Sequence, residues 1–194
     1  SRFPDVKRFD VISQETMKLS TLDICLKDRN QDCDFIKIDT QGTELAILKG
    51  GDRFLDGPII GLEVEVEFVR IYERQNLFGD VCLKLESKGY EFFDFVNICR
   101  WERERLSLFG QAVFGDGLFL RSPENFSEML ASLPADVAQS KAIKYMVIVS
   151  MYDHLDLLPI CKRLFEPYIS NTDQQAVDNL YGYLFRRRKI SSFL

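Results

Sequence analysis

The chain has 194 residues, 46% of them hydrophobic and 28% charged, and a formal net charge of −5, which suits one domain of ordinary size with an appendage. The acid excess argues against non-specific nucleic-acid binding, which needs a basic surplus. No apolar run reaches the length of a membrane span, and nothing N-terminal reads as a signal peptide.

Cys25, Cys33, Cys82, Cys99 and Cys161 are scattered without a C-x-x-C pair, as expected of reduced thiols in a cytoplasmic protein. The lone His154 cannot build a multi-histidine zinc site, so no metal is expected.

In chain order, FDVIS (9–13) and TMKLS (16–20) alternate apolar and polar residues and each read as a short strand. Thr21 makes an N-cap for the helix TLDICLKD, with Asp23 in its favourable first turn. DFIKIDT (34–40) is a compact strand closed by Gln41-Gly42. TELAILKGG is a short helix, with Leu45 and Leu48 on one side and Gly50-Gly51 as its stop. PIIGLEVEVEF (58–68) is the next strand, with Pro58 at its start. FGDVCLKLESKGY follows as a helix ended by Gly89. YEFFDF then reads as a strand, NICRWERERLS as a polar, Arg-rich loop, and GDGLFLRS as a final strand.

Such alternation favours an α/β fold with a largely parallel sheet, the last hairpin-like pair adding a reversed strand at one edge. Beyond Ser122 the pattern becomes helical, in PADVAQSKAIKYMVIVSMY, DHLDLLPICKRLFEPY and DQQAVDNLYGYLFRRRKI. Pro159 inside the second of these predicts a break or kink. The expected division is an α/β part over 1–122 and a helical extension over 123–194.

Thr21, Leu22, Asp23, Asp34, Lys37, Asp39, Gly42 and Glu44 follow the spacing of a threonine-leucine-aspartate step, an aspartate-x-x-lysine-x-aspartate strand, and then a glycine and a glutamate. On these residues the segment from about 16 to 121 resembles the FkbM family of S-adenosylmethionine-dependent methyltransferases. The resemblance implies a Rossmann-like, seven-stranded methyltransferase-type sheet, of which this chain carries the fourth to seventh strands. It also implies transfer of a methyl group to a hydroxyl of a sugar or other small molecule. The family's cofactor half is a strand, glycine loop and helix, followed by an acidic strand end. No glycine precedes Gly42, so that half is expected to be missing. Ser1 in place of Met points the same way, to a piece of a longer polypeptide. The alternative is a non-catalytic interaction module built on a methyltransferase remnant.

In open α/β sheets the ligand crevice lies beyond the carboxyl ends of the strands, where Asp39, Thr40 and Gln41 fall. Asp39 is the first choice for a catalytic carboxylate, or else an Asx-type residue fixing the bend before Gly42. Glu44 either joins it in catalysis or answers the helix dipole. Lys37 needs a partner inside a sheet, and Glu63, Glu65 and Glu67 on the neighbouring strand offer one. Gln41, Glu65 and Glu67 are expected to line the acceptor site, joined by Trp101 from the Arg-rich loop, where an aromatic among arginines can meet a sugar ring. That loop reads equally as solvated mixed charge. Thr40 is placed on the cofactor side. Asp23 is a helix-cap residue or a neighbour of the adenine.

The run Arg186 to Lys189 reads as charge matching a helix C-terminus. Without the first three strands, DFIKIDT becomes a sheet edge. The expected cover is the N-terminal segment, the tail helices, or a second copy forming a homodimer.

Overall fold

A computed structural model describes residues 12–29, 33–104 and 109–191. The chain divides into two compact units, the first ending at Leu120 and the second beginning at Arg121.

The first unit runs α1 (Leu22–Arg29), β1 (Phe35–Ile38), α2 (Glu44–Lys49), α3 (Asp52–Asp56), β2 (Gly61–Glu67), α4 (Phe78–Glu86), β3 (Glu91–Trp101) and β4 (Gln111–Leu120). These strands form one four-stranded sheet in the order β1-β2-β4-β3. β1 pairs parallel to β2, and β4 is antiparallel to both of its neighbours.

The alternation in GLEVEVE decides how β2 sits. Leu62, Val64 and Val66 point to one face and join Ile38, Leu48, Leu55, Val81, Leu85 and Phe119 in a single core. Burying each such side chain favours folding by about 1.5–3 kcal/mol. Helices α2, α3 and α4 supply Leu48, Leu55, Val81 and Leu85 to it, so they cover this face. The glutamates of β2 necessarily point the other way. Gly61 admits β2 to the sheet because a Cβ there would lie 2.4 Å from the Phe119 carbonyl oxygen.

Thr21 caps α1 as its sequence predicts, the Ile24 amide donating to Thr21 Oγ1 at 3.3 Å. Asp23, however, reaches away from its own helix. Its carboxylate accepts from the Arg53 and Phe54 amides at 3.1 and 2.9 Å, and so caps α3.

Three expectations need correction. TMKLS forms no strand: Met17 and Leu19 are exposed, and alternation without a ladder partner does not hold a strand. Of FDVIS only Ile12 and Ser13 are described, without regular structure; the rest lies outside the described residues.

Second, the Arg-rich loop begins later than expected. β3 continues through Asn97–Trp101, pairing with β4 by way of three register shifts. These residues look loop-like because an outer strand with one wet face tolerates polar side chains.

Third, the reversed strand does not lie at the edge. β4 sits between β2 and β3, and its Val113, Gly115 and Gly117–Leu120 are buried.

The second unit consists of α5 (Pro123–Leu130), α6 (Ala135–Met151), α7 (Leu158–Phe165) and α8 (Asn171–Ser191). Phe126, Tyr145 and Phe165 form its aromatic centre, Tyr145 lying 5.0 and 5.4 Å from the other two rings. Pro159 falls in the first turn of α7, where its missing N–H costs nothing. The break therefore precedes it, at the 3₁₀ turn Leu155–Leu157.

Candidate functional site

Beyond Ile38 the chain leaves β1 and reverses within a few residues. Gln41 and Gly42 both take left-handed backbone, with φ of 58° and 109°, and α2 starts at Glu44. Glu44 holds this reversal together. Its Oε1 accepts from the Thr40 amide (2.8 Å), the Thr40 hydroxyl (3.0 Å) and the Gly42 amide (3.1 Å), and its Oε2 from the same Gly42 amide (3.0 Å). The carboxylate is only 3% exposed.

Gln41 ties the turn to β2. Its Nε2 donates to Asp39 Oδ1 and to Glu65 Oε2, each at 2.9 Å. Glu65 and Glu67 are buried, and one carboxylate oxygen from each of Glu44, Glu65 and Glu67 lies within 4.8 Å of the others. Burial, then the charges of Asp39, Glu44 and Asp116, push Glu65 up to about 7. Burial again, with Glu44 and Glu65 nearby, pushes Glu67 up to about 8. Removing water disfavours the ionised form, and crowded like charges add to the effect.

The loop after β2 closes over this cluster. A Cβ on Gly42 would stand 3.0 Å from Gln75 Nε2 and 3.3 Å from Tyr72 Cδ2, so glycine is required for packing as well as for its φ. Gln75 Oε1 accepts from the Ile71 and Tyr72 amides at 2.8 and 3.1 Å, which fixes which end of the amide carries the donors. Nε2 is buried and makes no hydrogen bond. It is nonetheless close enough to Glu67 to favour that carboxylate's charged form.

Lys37 stands apart from the cluster. Its Nζ lies 2.5 Å from Glu63 Oε1, its partner in register, and 3.6 Å from Asp116 Oδ1. The expected cross-strand pair is present, but the lysine side chain is 51% exposed, so its premise of a buried cation needs correcting. Among the described strands β1 is the outermost on that side, and the ammonium is open to water.

Of the predicted site residues, Asp39, Thr40, Gln41, Glu44, Glu65 and Glu67 come together in one hydrogen-bonded and electrostatic assembly. Two do not join it. Asp23 caps α3. Trp101 ends β3 and packs edge-on against Phe114 at 5.7 Å, the β4 residue opposite Glu67.

Sequence reasoning misses Gln75, Tyr72 and Asp116. Gln75 sits in an unremarkable polar stretch, and its place over Gly42 comes only from tertiary packing. Asp116 had one available signal, a lone charge inside a buried strand run.

Residues 2–92 match the methyltransferase FkbM domain. The match covers a little under half of the chain and takes in the strand-turn-helix and β2. Every residue on which the resemblance to the FkbM methyltransferases rests lies inside the matched segment. No curated protein and no solved structure gives a significant match to the chain. Among the described residues no helix is long and apolar enough to cross a membrane.

Proposed function

We propose that the FkbM segment serves S-adenosylmethionine-dependent transfer of a methyl group to a hydroxyl of a sugar or other small molecule, and that it supplies the acceptor side. The observation that carries this reading is the assembly at the carboxyl ends of β1 and β2. There the exposed Asp39, bridged by Gln41 to Glu65, stands beside two carboxyls that titrate near neutrality. Groups poised in that range exchange protons with a hydroxyl at working pH. Asp39 is the residue placed to receive the acceptor's proton, with Glu65 and Glu67 as its reserve. Glu44 works as a positioning residue, through the turn that presents Thr40 and Gln41. Trp101 and its neighbouring arginines are offered as an outer contact for the acceptor ring.

The residues described here do not fit the cofactor by themselves. No glycine precedes Gly42, and residues 12–20 hold no strand from which a glycine loop can spring. The same observation favours the second reading, a non-catalytic interaction module on a methyltransferase scaffold.

Two measurements separate the readings. Calorimetry of S-adenosylmethionine against the 194-residue chain is expected to show no binding; a micromolar Kd overturns the claim that these residues do not fit the cofactor. Transfer of labelled methyl to polyhydroxylated acceptors is then measured on a protein that carries this segment and binds the cofactor. Asp39→Asn is expected to lower turnover about 10²-fold at unchanged thermal stability. Unchanged turnover per folded molecule removes Asp39 from the chemistry and favours the module.

A further inference from the structure

The carboxylate cluster has a feature that methyl transfer to a hydroxyl does not require. Glu44, Glu65 and Glu67 are all buried, and the ion pairs among the described residues go elsewhere. Lys37 serves Glu63 and Asp116, Lys84 and Lys88 serve Asp52 and Asp56, and Lys162 serves Asp178. Three carboxylates without a cation in contact are costly to bury together.

Their spacing is informative. One oxygen from each lies within 4.8 Å of the others, and a calcium-sized ion takes oxygen ligands at about 2.3–2.6 Å. Two oxygens on opposite sides of such an ion stand about twice that far apart, and neighbouring ones closer, so side-chain adjustment of a few tenths of an ångström at most brings all three to a common centre. A magnesium ion, with ligands at about 2.0–2.1 Å, needs its oxygens closer together than calcium does. Glu44 is also preoriented: its Oε1 accepts three hydrogen bonds, while Oε2 accepts only from the Gly42 amide, at 3.0 Å, and keeps lone-pair capacity.

Gln75 points independently to a ligand. Its side chain is 4% exposed, its Oε1 is engaged by two backbone amides, and its Nε2 faces the Glu67 side of the cluster without a partner. A buried amide donor left unpaired is destabilising, and its natural complement is an oxygen ligand between it and the carboxylates.

We propose that Glu44, Glu65 and Glu67 bind a hard divalent cation of calcium size at the carboxyl ends of β1 and β2, and that Gln75 Nε2 donates to an oxygen ligand completing its coordination. The ligand set is all oxygen, which selects such a cation over zinc or copper. The site is built on the interior strand β2, the turn 39–44 and the loop carrying Gln75. It stands independently of the methyl-transfer reading, because cation binding is measured without cofactor or acceptor.

The test is calorimetry on the full chain, stripped with a chelator and titrated with Ca2+ and separately with Mg2+ at about pH 8, where carboxylate ligands can ionise. The expected result is one Ca2+ per chain, bound about tenfold more tightly than Mg2+, with a matching rise in Tm. The isosteric double variant Glu65→Gln/Glu67→Gln is expected to lose the binding while keeping its circular dichroism. Gln75→Leu is expected to weaken it several-fold, and Asp52→Asn, on the exposed start of α3, to leave it intact. Absence of Ca2+ and Mg2+ binding by the unmodified chain overturns the proposal. So does Ca2+ binding that survives in the double variant, which assigns the ion to exposed acidic groups.

Discussion

Lys37 and Glu63 face one another in register and form an ion pair at 2.5 Å, but the lysine side chain is 51% exposed and that of the glutamate 10%. Water therefore screens one end of the pair, and a second acceptor, Asp116, lies 3.6 Å away. Lys37→Met is expected to destabilise modestly. The double-mutant cycle with Glu63→Gln should give a coupling of about 0.5–1 kcal/mol, measured by denaturant unfolding; additive effects would show the pair to be ornamental. Glu65 and Glu67 behave differently, since burial and like charges push them up to about 7 and about 8. Each binds its proton more tightly in the folded than in the unfolded chain. The folded state thus holds more protons from about pH 5 upward, and the stabilisation they lend is lost as pH rises through about 7 and then 8. In chelator, Tm should fall across this window, and Glu65→Gln/Glu67→Gln should flatten the fall. A Tm that rises toward pH 8 would contradict it. The Lys37 partnership was legible in the sequence because an alternating strand puts its charges on one face. The elevated proton affinity was not, because it depends on three glutamates meeting from two separate elements. Gln75 left no trace in the sequence at all: its importance lies in the 3.0 Å approach to the Cβ position of Gly42.

At the scale of elements, the strand-turn-helix from β1 to α2 organises the site, and Gly42 is its pivot. Its φ of 109° is a region that residues with a Cβ rarely adopt, and that Cβ would press on Gln75 Nε2 and the Tyr72 ring. Gly42→Ala is expected to cost about 1–3 kcal/mol and to loosen the Glu44 hydrogen bonds to Thr40 and Gly42. A drop in Tm with faster exchange of the Thr40 amide would register it; a fully stable variant would mean that the turn has a second conformation. This element was readable from DFIKIDTQGTE because strand periodicity, glycine and a helix-start acid agree locally. β3 was harder to delimit. Its Asn97 and Arg100 look like loop residues, yet antiparallel pairing with β4 carries the strand through them to Trp101. TMKLS shows the converse, an alternating pattern that finds no partner. The place of β4 between β2 and β3 was equally hidden, since sequence order says nothing about which returning strand inserts between two others. Its glycines were the available hint: Cβ atoms at Gly115 and Gly117 would lie 2.5 Å from the Asn97 carbonyl oxygen and 3.0 Å from the Phe119 ring.

For the whole molecule, the feature with the widest consequence is the outer side of β1. Among the described residues the strand pairs only with β2, and residues 12–20 form no strand against it, so the N-terminal cover expected from the sequence is not supplied by that stretch. β1 is four residues long and carries an exposed lysine at its third position. Short length and a charged residue are both devices by which edge strands discourage pairing. Against them stand the backbone groups of Ile36 to Ile38, which on that side have no ladder partner among the described strands and call for water or a further strand. A second copy, pairing edge to edge about a two-fold axis, would satisfy both edges at once. On this proposal the chain self-associates across the micromolar range in sedimentation experiments. The amides of β1 should then gain exchange protection with rising concentration, while those of β2, already buried in the sheet, should not change. Because Lys37 opposes the approach of an identical edge, Lys37→Met should tighten association and added salt should do the same by screening. A chain that stays monomeric throughout, with β1 amides exchanging freely at every concentration, would show that solvent alone satisfies the edge.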